Sequence, residues 1–223
     1  MSLLDAAADL LLGASCPCCR RPGGFGPCRE CAAALDQPAH RIDRGVGVPL
    51  VAAAPYRPLL EHAIPHYKDD GALHLDRWLG KLLARSVADL DPPRSTVLVP
   101  MPSLPAATRR RGYDHARRLA HVAAKTCGLR AVALLRRTRG GADQRGLTKG
   151  QRTRNLDGAL IARSIASPVI IVDDVATTGA SLREAERALR QAGVSVIGAA
   201  VIAEADNQPR QLWSFPTGAW AER

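Results

Sequence analysis

Aromatic side chains are scarce in this chain: two Phe, three Trp and three Tyr make up 4% of 223 residues, and Met occurs only twice. The apolar content leans instead on Ala, Leu and Val, which suits helices packed on a parallel sheet and argues against a β-sandwich. No apolar run is long enough to span a bilayer. Residues 1–15 hold an apolar stretch before Cys16, but no basic residue precedes it and Asp5 and Asp9 interrupt it, so it fails as a secretion signal. Leu3, Leu4, Ala7, Ala8 and Leu11 share one helical face, so a short amphipathic helix docked on the body is expected there. These features point to a cytoplasmic protein with one good core and a small appendage.

Acidic groups are also in short supply: 31 Lys and Arg oppose 21 Asp and Glu, a formal charge of +10. The imbalance is concentrated. Between Arg94 and Arg163, sixteen Lys and Arg face only Asp114, Asp143 and Asp157, a net charge of +13. A densely anionic substrate accounts for part of that excess, and the surplus suits a nucleic-acid surface or a solvated basic face. The poverty of aromatics counts against single-strand recognition, which usually rests on stacking platforms.

Cysteine, by contrast, is patterned. Cys16-x-x-Cys19 and Cys28-x-x-Cys31 flank Gly23, Gly24 and Gly26, and two such knuckles supply four thiolates able to close a tetrahedron around zinc. Cys18 is the spare. Disulfides are the alternative, but they fit poorly with a reducing cytoplasm, and four ligands make the site closed and structural.

The chain is organised around Val169 to Ser181. Val169 to Val172 are four apolar β-formers arriving after Pro168, as a central strand buried on both faces requires. Behind Asp173 and Asp174 comes a small hydroxyl-rich turn, Thr177-Thr178-Gly179-Ala180-Ser181. A helix follows from Leu182, with Leu182, Ala185, Ala188, Leu189 and Ala192 on one face. The first N–H groups of such a helix can wrap a phosphate, and Gly179 lets the backbone come close. The two carboxylates suit neighbouring sugar hydroxyls or a metal bound to them, so the stretch describes a ribose 5-phosphate site. It is not a Walker loop, for no Gly-Lys-Ser/Thr follows, nor a dinucleotide fingerprint, for three spaced glycines are missing.

Elsewhere the pattern predicts a strand over 46–54 and a helix opened by Tyr56 to Leu60 that Pro65 kinks or ends. A helix from about Leu73 to Leu90 and a strand over Val97 to Val99 come next. Pro100, Met101 and Pro102 then leave that strand toward a cationic loop of Arg109, Arg110, Arg111 and Gly112, which would suit pyrophosphate. Tyr113 to Lys125 read as a helix with Ala116, Leu119, Ala120 and Ala123 inward, and Ala131 to Leu135 as a strand. The glycine-dotted stretch from Arg136 to Asn155 reads as a lid or insertion, Gly158 to Ile161 and Val194 to Val201 as strands.

Val169 to Ser181 resembles, without a gap, the PRPP-binding motif of type I phosphoribosyltransferases, where PRPP is 5-phosphoribosyl 1-pyrophosphate. The resemblance implies that Asp173 and Asp174 hold the ribose hydroxyls and that the turn from Val175 and Ala176 through Thr177, Thr178, Gly179, Ala180 and Ser181 holds the 5-phosphate. Four features in order narrow it: the cysteine knuckles, Tyr67-Lys68-x-x-Gly71, the Val99-Pro100-x-Pro102 turn leading to Arg109-Arg110-Arg111-Gly112-Tyr113, and the PRPP motif. Together they resemble the ComF-like phosphoribosyltransferases, associated in bacteria with competence for DNA uptake. That resemblance covers roughly residues 16 to 203 and implies a type I phosphoribosyltransferase-like α/β fold, a parallel sheet flanked by helices, behind a small zinc-binding ribbon. Residues 1–40 would form the helix and ribbon, 41–205 the phosphoribosyltransferase-like domain and 206–223 a tail.

It further implies Lys68 near the substrate pocket, and a flexible loop carrying Gln144 and Arg154 that closes over the reacting centre. Magnesium would accompany PRPP, and an unknown nitrogen acceptor would be phosphoribosylated. The alternative is a non-catalytic protein of the same fold that binds single-stranded DNA or a helicase-like partner. Asp114 and His115 depart from the family, which usually shows Asn-Gln there, and Pro65 interrupts a stretch that is normally helical.

Overall fold

A computed structural model describes residues 15–138 and 158–205. The helix expected within residues 1–15 (Ser15 apart), the loop with Gln144 and Arg154, and the 206–223 tail lie outside the described residues.

The elements run α1 (Arg29–Leu35), β1 (His40–Ile42), β2 (Leu50–Pro55), an irregular turn at Tyr56–Leu60, α2 (Glu61–Asp69), α3 (Asp76–Ala88), β3 (Val97–Pro100), α4 (Pro105–Arg111) and α5 (His115–Cys127). Then come β4 (Arg130–Ala131), β5 (Leu135–Arg137), β6 (Leu160–Ala162), β7 (Val169–Ala176), α6 (Ala180–Gln191) and β8 (Val196–Glu204). Six strands form one sheet in the order β1-β2-β8-β7-β3-β4, with only β1 antiparallel, while β5 and β6 make a separate antiparallel pair.

The unbroken apolar run of β7 has the meaning expected of a strand covered on both faces. Ile170 and Val172 join Leu98, Ala200 and Ile202 in a core under α2, α3 and α5. Val169 and Ile171, one residue out of phase, join Val97, Val99, Ala199 and Val201 under α6 and the small hairpin. Cys16, Cys18, Cys31 and Leu35 pack into the first of these cores beside Leu60 and Tyr67, so the cysteine-bearing segment is welded to the body.

Several boundaries differ from the sequence expectation. The strand expected over 46–54 begins at Leu50, because Gly47 donates its N–H to Glu186 Oε2 at 2.8 Å and the preceding chain turns toward α6 instead of extending. Pro65 does not end α2, which continues to Asp69. The bond Pro65 cannot make would have gone to Glu61 at the very first position, and burial of Ala63, Ile64 and Tyr67 on one face carries the helix past it. The stretch expected as one strand from Ala131 to Leu135 is divided: Arg130–Ala131 closes the main sheet, and Leu135–Arg137 pairs with β6. Arg109 to Arg111 lie on a helix, not in a loop, because Pro105 starts α4 and Gly112, at φ +78°, stops it. Among the described residues, no helix is long and apolar enough to cross a membrane.

Candidate functional site

Pairing with β8 extends β7 four residues beyond Val172, through Val175 opposite Ala203 and Ala176 opposite Glu204. Asp173 and Asp174 are therefore held inside a rigid ladder at the carboxyl end of the sheet, where open α/β sheets bind ligands. They border a cavity of about 630 Å³ that also meets Tyr56 and Pro65 on one side, Met101, Pro102 and Leu104 on another, and Thr177 and Ser181 at the helix start. Cations enter the same cavity from three elements: Lys68 from α2, Arg110 and Arg111 from α4, and Arg137 from β5.

The two carboxylates have different surroundings. Asp174 is buried; its Oδ2 accepts a hydrogen bond from Lys68 Nζ at 2.8 Å and lies 3.4 Å from His115 Nε2, and its Oδ1 accepts the Val175 N–H at 2.9 Å. Burial alone would raise its pKa, but His115 and Lys68 outweigh it and hold the carboxyl well below the usual range. Asp173 accepts the Asp174 N–H at 2.9 Å and makes no ion pair among the described residues. Burial, together with the adjacent Asp174 charge, pushes Asp173 up to about 8. Lys68 is raised: burial disfavours its charge, yet Asp174 more than compensates. Burial lowers Arg137, with Asp173 opposing the shift.

The cationic wall is built from the backbone outward. Arg111 donates from Nη1 to the Lys68 carbonyl at 3.1 Å, its side chain is only 6% exposed, and its Nε is buried without a partner. Arg137 Nε donates to the Pro102 carbonyl at 3.1 Å, which ties β5 to the turn after β3.

At the other end, Gly179 stands at φ +73° immediately before α6, a conformation that other residues rarely adopt. Arg183 donates from Nη1 to the Thr178 carbonyl at 3.0 Å and to the Arg44 carbonyl, and so ties the turn to the loop before β2. Arg44 in turn reaches the buried Glu204 at 3.2 Å, which also pairs with His40 at 2.7 Å.

The structure thus brings Lys68, Met101, Pro102, Arg110, Arg111, Asp173, Asp174, Val175, Thr177 and Ser181 to one cavity. Pro100 lies just behind it within β3, Ala176, Thr178, Gly179 and Ala180 belong to the strand end and turn without lining it, and Arg109 is exposed on α4 away from it. Polar residues that sequence reasoning did not place at the site include Tyr56, Asp69, Ser103, His115 and Arg137. For His115 the sequence carried only the helix start, marked by Asp114 as an N-cap residue, and not the direction of the side chain. Arg137 had no signal, because nothing in its local sequence says which way the short hairpin turns.

About the cysteines, the Sγ atoms of Cys16, Cys19, Cys28 and Cys31 lie within 4.8 Å of one another. Four sulfurs at about 2.3 Å from a tetrahedral zinc would stand roughly 3.8 Å apart. The Cys19 and Cys28 sulfurs are at 3.8 Å, and all six described cysteines are free thiols. This donor set could hold a metal such as zinc.

Residues 109–217 match the family described as "Phosphoribosyl transferase domain". None of the curated proteins matches the chain. Among solved structures, the "allosteric regulatory enzyme of purine biosynthesis" is 19% identical with a TM-score of 0.40, over 58% of this chain and 26% of that one. The chain thus spans about a quarter of that protein's length. Adenine phosphoribosyltransferase from Rhodothermus marinus DSM 4252 is 18% identical with a TM-score of 0.36, over 78% of this chain and 87% of that one. The family match covers residues 109–217, and the mainly parallel sheet flanked by helices makes the fold a mixed α/β one.

Proposed function

We propose that this protein binds PRPP with magnesium and transfers its phosphoribosyl group to a nitrogen acceptor. The observation that carries the reading is the polarity of the cavity: paired carboxylates and a hydroxyl-bearing helix start at one end, and Lys68, Arg110, Arg111 and Arg137 around the rest, with Asp69 beside Arg110 and Arg111. In this reading Thr177 to Ser181 hold the 5-phosphate, Asp173 and Asp174 the ribose hydroxyls, and the arginines with Lys68 the pyrophosphate. Magnesium supplies charge neutralisation between diol and pyrophosphate. The chain's own groups position the reactants and exclude water, and the cations offset charge on the departing pyrophosphate.

Its finer affiliation, on the order of motifs along the chain, is with the ComF-like proteins of DNA uptake, with a structural zinc at the four cysteines and a cytoplasmic location. Exposed Arg109, Arg117, Arg130 and Arg136 favour a second reading, in which exposed basic residues meet single-stranded DNA or a helicase-like partner.

Calorimetric titration with PRPP and magnesium, followed by pyrophosphate release against a panel of bases and amines, tests the first reading. Binding with release for one acceptor is the expected result. Absence of binding at millimolar PRPP removes it, and salt-dependent binding of oligonucleotides in its place supports the second.

A further inference from the structure

We infer that His115 is a positioning residue for the sugar-binding carboxylates: it fixes the orientation of Asp174 so that one lone-pair direction on Oδ1 remains for a single ligand hydroxyl. The inference rests on the ribose-phosphate reading of the cavity.

A carboxylate offers about four acceptor sites, two on each oxygen. On Asp174, Oδ2 faces Lys68 Nζ at 2.8 Å and His115 Nε2 at 3.4 Å, and Oδ1 takes the Val175 N–H at 2.9 Å. Two sites are thus committed to hydrogen bonds from α2 and β7, and a third faces His115 of α5. The side chain is only 7% exposed. Asp173, with one accepted bond and no ion pair among the described residues, is the carboxylate with acceptor sites to spare.

His115 is itself held from behind. It is buried and is the first residue of α5. Its Nδ1 lies 3.3 Å from Ser103 Oγ, and Ser103 gives its hydrogen to Asp114 Oδ1 at 2.9 Å. Asp114 also accepts the Arg117 N–H and so caps the helix that carries His115. The turn after β3, the start of α5 and the end of β7 are joined in one polar chain, with Lys68 of α2 at the same oxygen. A 3.4 Å contact in the ligand-free site is one that can shorten when a hydroxyl arrives at Oδ1.

Two amide substitutions separate this role from mere packing, because Gln reaches the position of imidazole Nε2 while Asn reaches that of Nδ1. His115→Gln keeps a donor for Asp174, and His115→Asn keeps only the contact with Ser103. In titrations with ribose 5-phosphate and magnesium, His115→Gln should bind within about twofold of wild type and His115→Asn roughly tenfold or more weaker. Equal losses in both variants, or no loss in His115→Asn, would overturn the inference.

A ligand-free readout decides the case in which wild type binds no ribose 5-phosphate, an outcome that removes the functional reading by itself. In imidazole ¹⁵N spectra the Nε2 resonance of His115 should move in Asp174→Asn. An unmoved resonance shows that the two groups do not interact, and overturns the inference without reference to any ligand.

Discussion

Gly179 stands so close to Arg44 that a Cβ at position 179 would lie 2.6 Å from both the Arg44 Cβ and its carbonyl oxygen. The turn that would receive a phosphate is therefore shaped from two sides: φ is +73° at the glycine, and the loop before β2 is pressed against it by the Arg183 bonds. Gly179→Ala should cost about 1–3 kcal/mol through strain and crowding. It should also abolish ribose 5-phosphate binding, because the turn has to shift. Thermal melts and calorimetry check both effects, and a variant that binds normally would show that the close approach is incidental.

Gly80 makes the complementary case away from the cavity. A Cβ there would meet Val122 Cβ and Cγ1 at 2.5 Å, where α3 crosses α5. Gly80→Ala should lower stability by about 1–3 kcal/mol through overpacking. Ligand affinity should be unchanged. Urea denaturation reads the loss as a lower midpoint at constant slope.

Zinc at the four cysteines predicts one metal per chain by elemental analysis of reduced protein. Because Cys16 and Cys31 are buried in the same core as Leu60 and Tyr67, chelation or Cys31→Ser should loosen that core as well as the knuckles. A fall of about 5 °C or more in thermal midpoint is expected. Metal-free protein with an unchanged melt would remove the zinc assignment.

Asp173 gives stability a pH dependence of definite sign. Its carboxyl is pushed from an ordinary 3.8 up to about 8, so the folded chain keeps a proton that the unfolded chain releases. That contribution is complete below the unfolded value and is lost as pH rises toward the folded one. Asp173→Asn should therefore match wild type in thermal midpoint near about pH 4 and exceed it near about pH 8.5. Asp174, held below the usual range, acts oppositely: its contribution is present above the unfolded value and lost only as pH falls through the folded one. A wild-type-minus-variant difference that does not change with pH would mean that Asp173 is ionised in the fold throughout.

Thr178 tests the proposed phosphate-binding turn by chemistry more than by shape. Its hydroxyl is exposed at the turn and lies 3.4 Å from the Ala180 N–H, which it accepts. Thr178→Val should weaken ribose 5-phosphate binding by about 1–3 kcal/mol while stability stays close to wild type. Isothermal titration of both proteins gives the difference directly.

By itself the sequence determined the features that depend on local order along the chain. Four β-formers, two acids and a hydroxyl-rich glycine turn dictate strand and helix start in thirteen consecutive residues. The paired cysteines, and the inward faces of α5 and α6, follow from spacing in the same way. Tertiary structure alone decided which distant groups meet. Asp174 and Lys68 are 106 positions apart, and only the stacking of α2 over the end of β7 places an ammonium on the carboxylate. The division of the 131–135 stretch depended on competition between two sheets for one segment, which no local pattern encodes. The persistence of α2 past Pro65 likewise depended on burial supplied by the rest of the fold. The unequal states of Asp173 and Asp174, identical neighbours in sequence, arise because long-range partners reach one carboxylate and miss the other, and in a buried site that difference sets the charge.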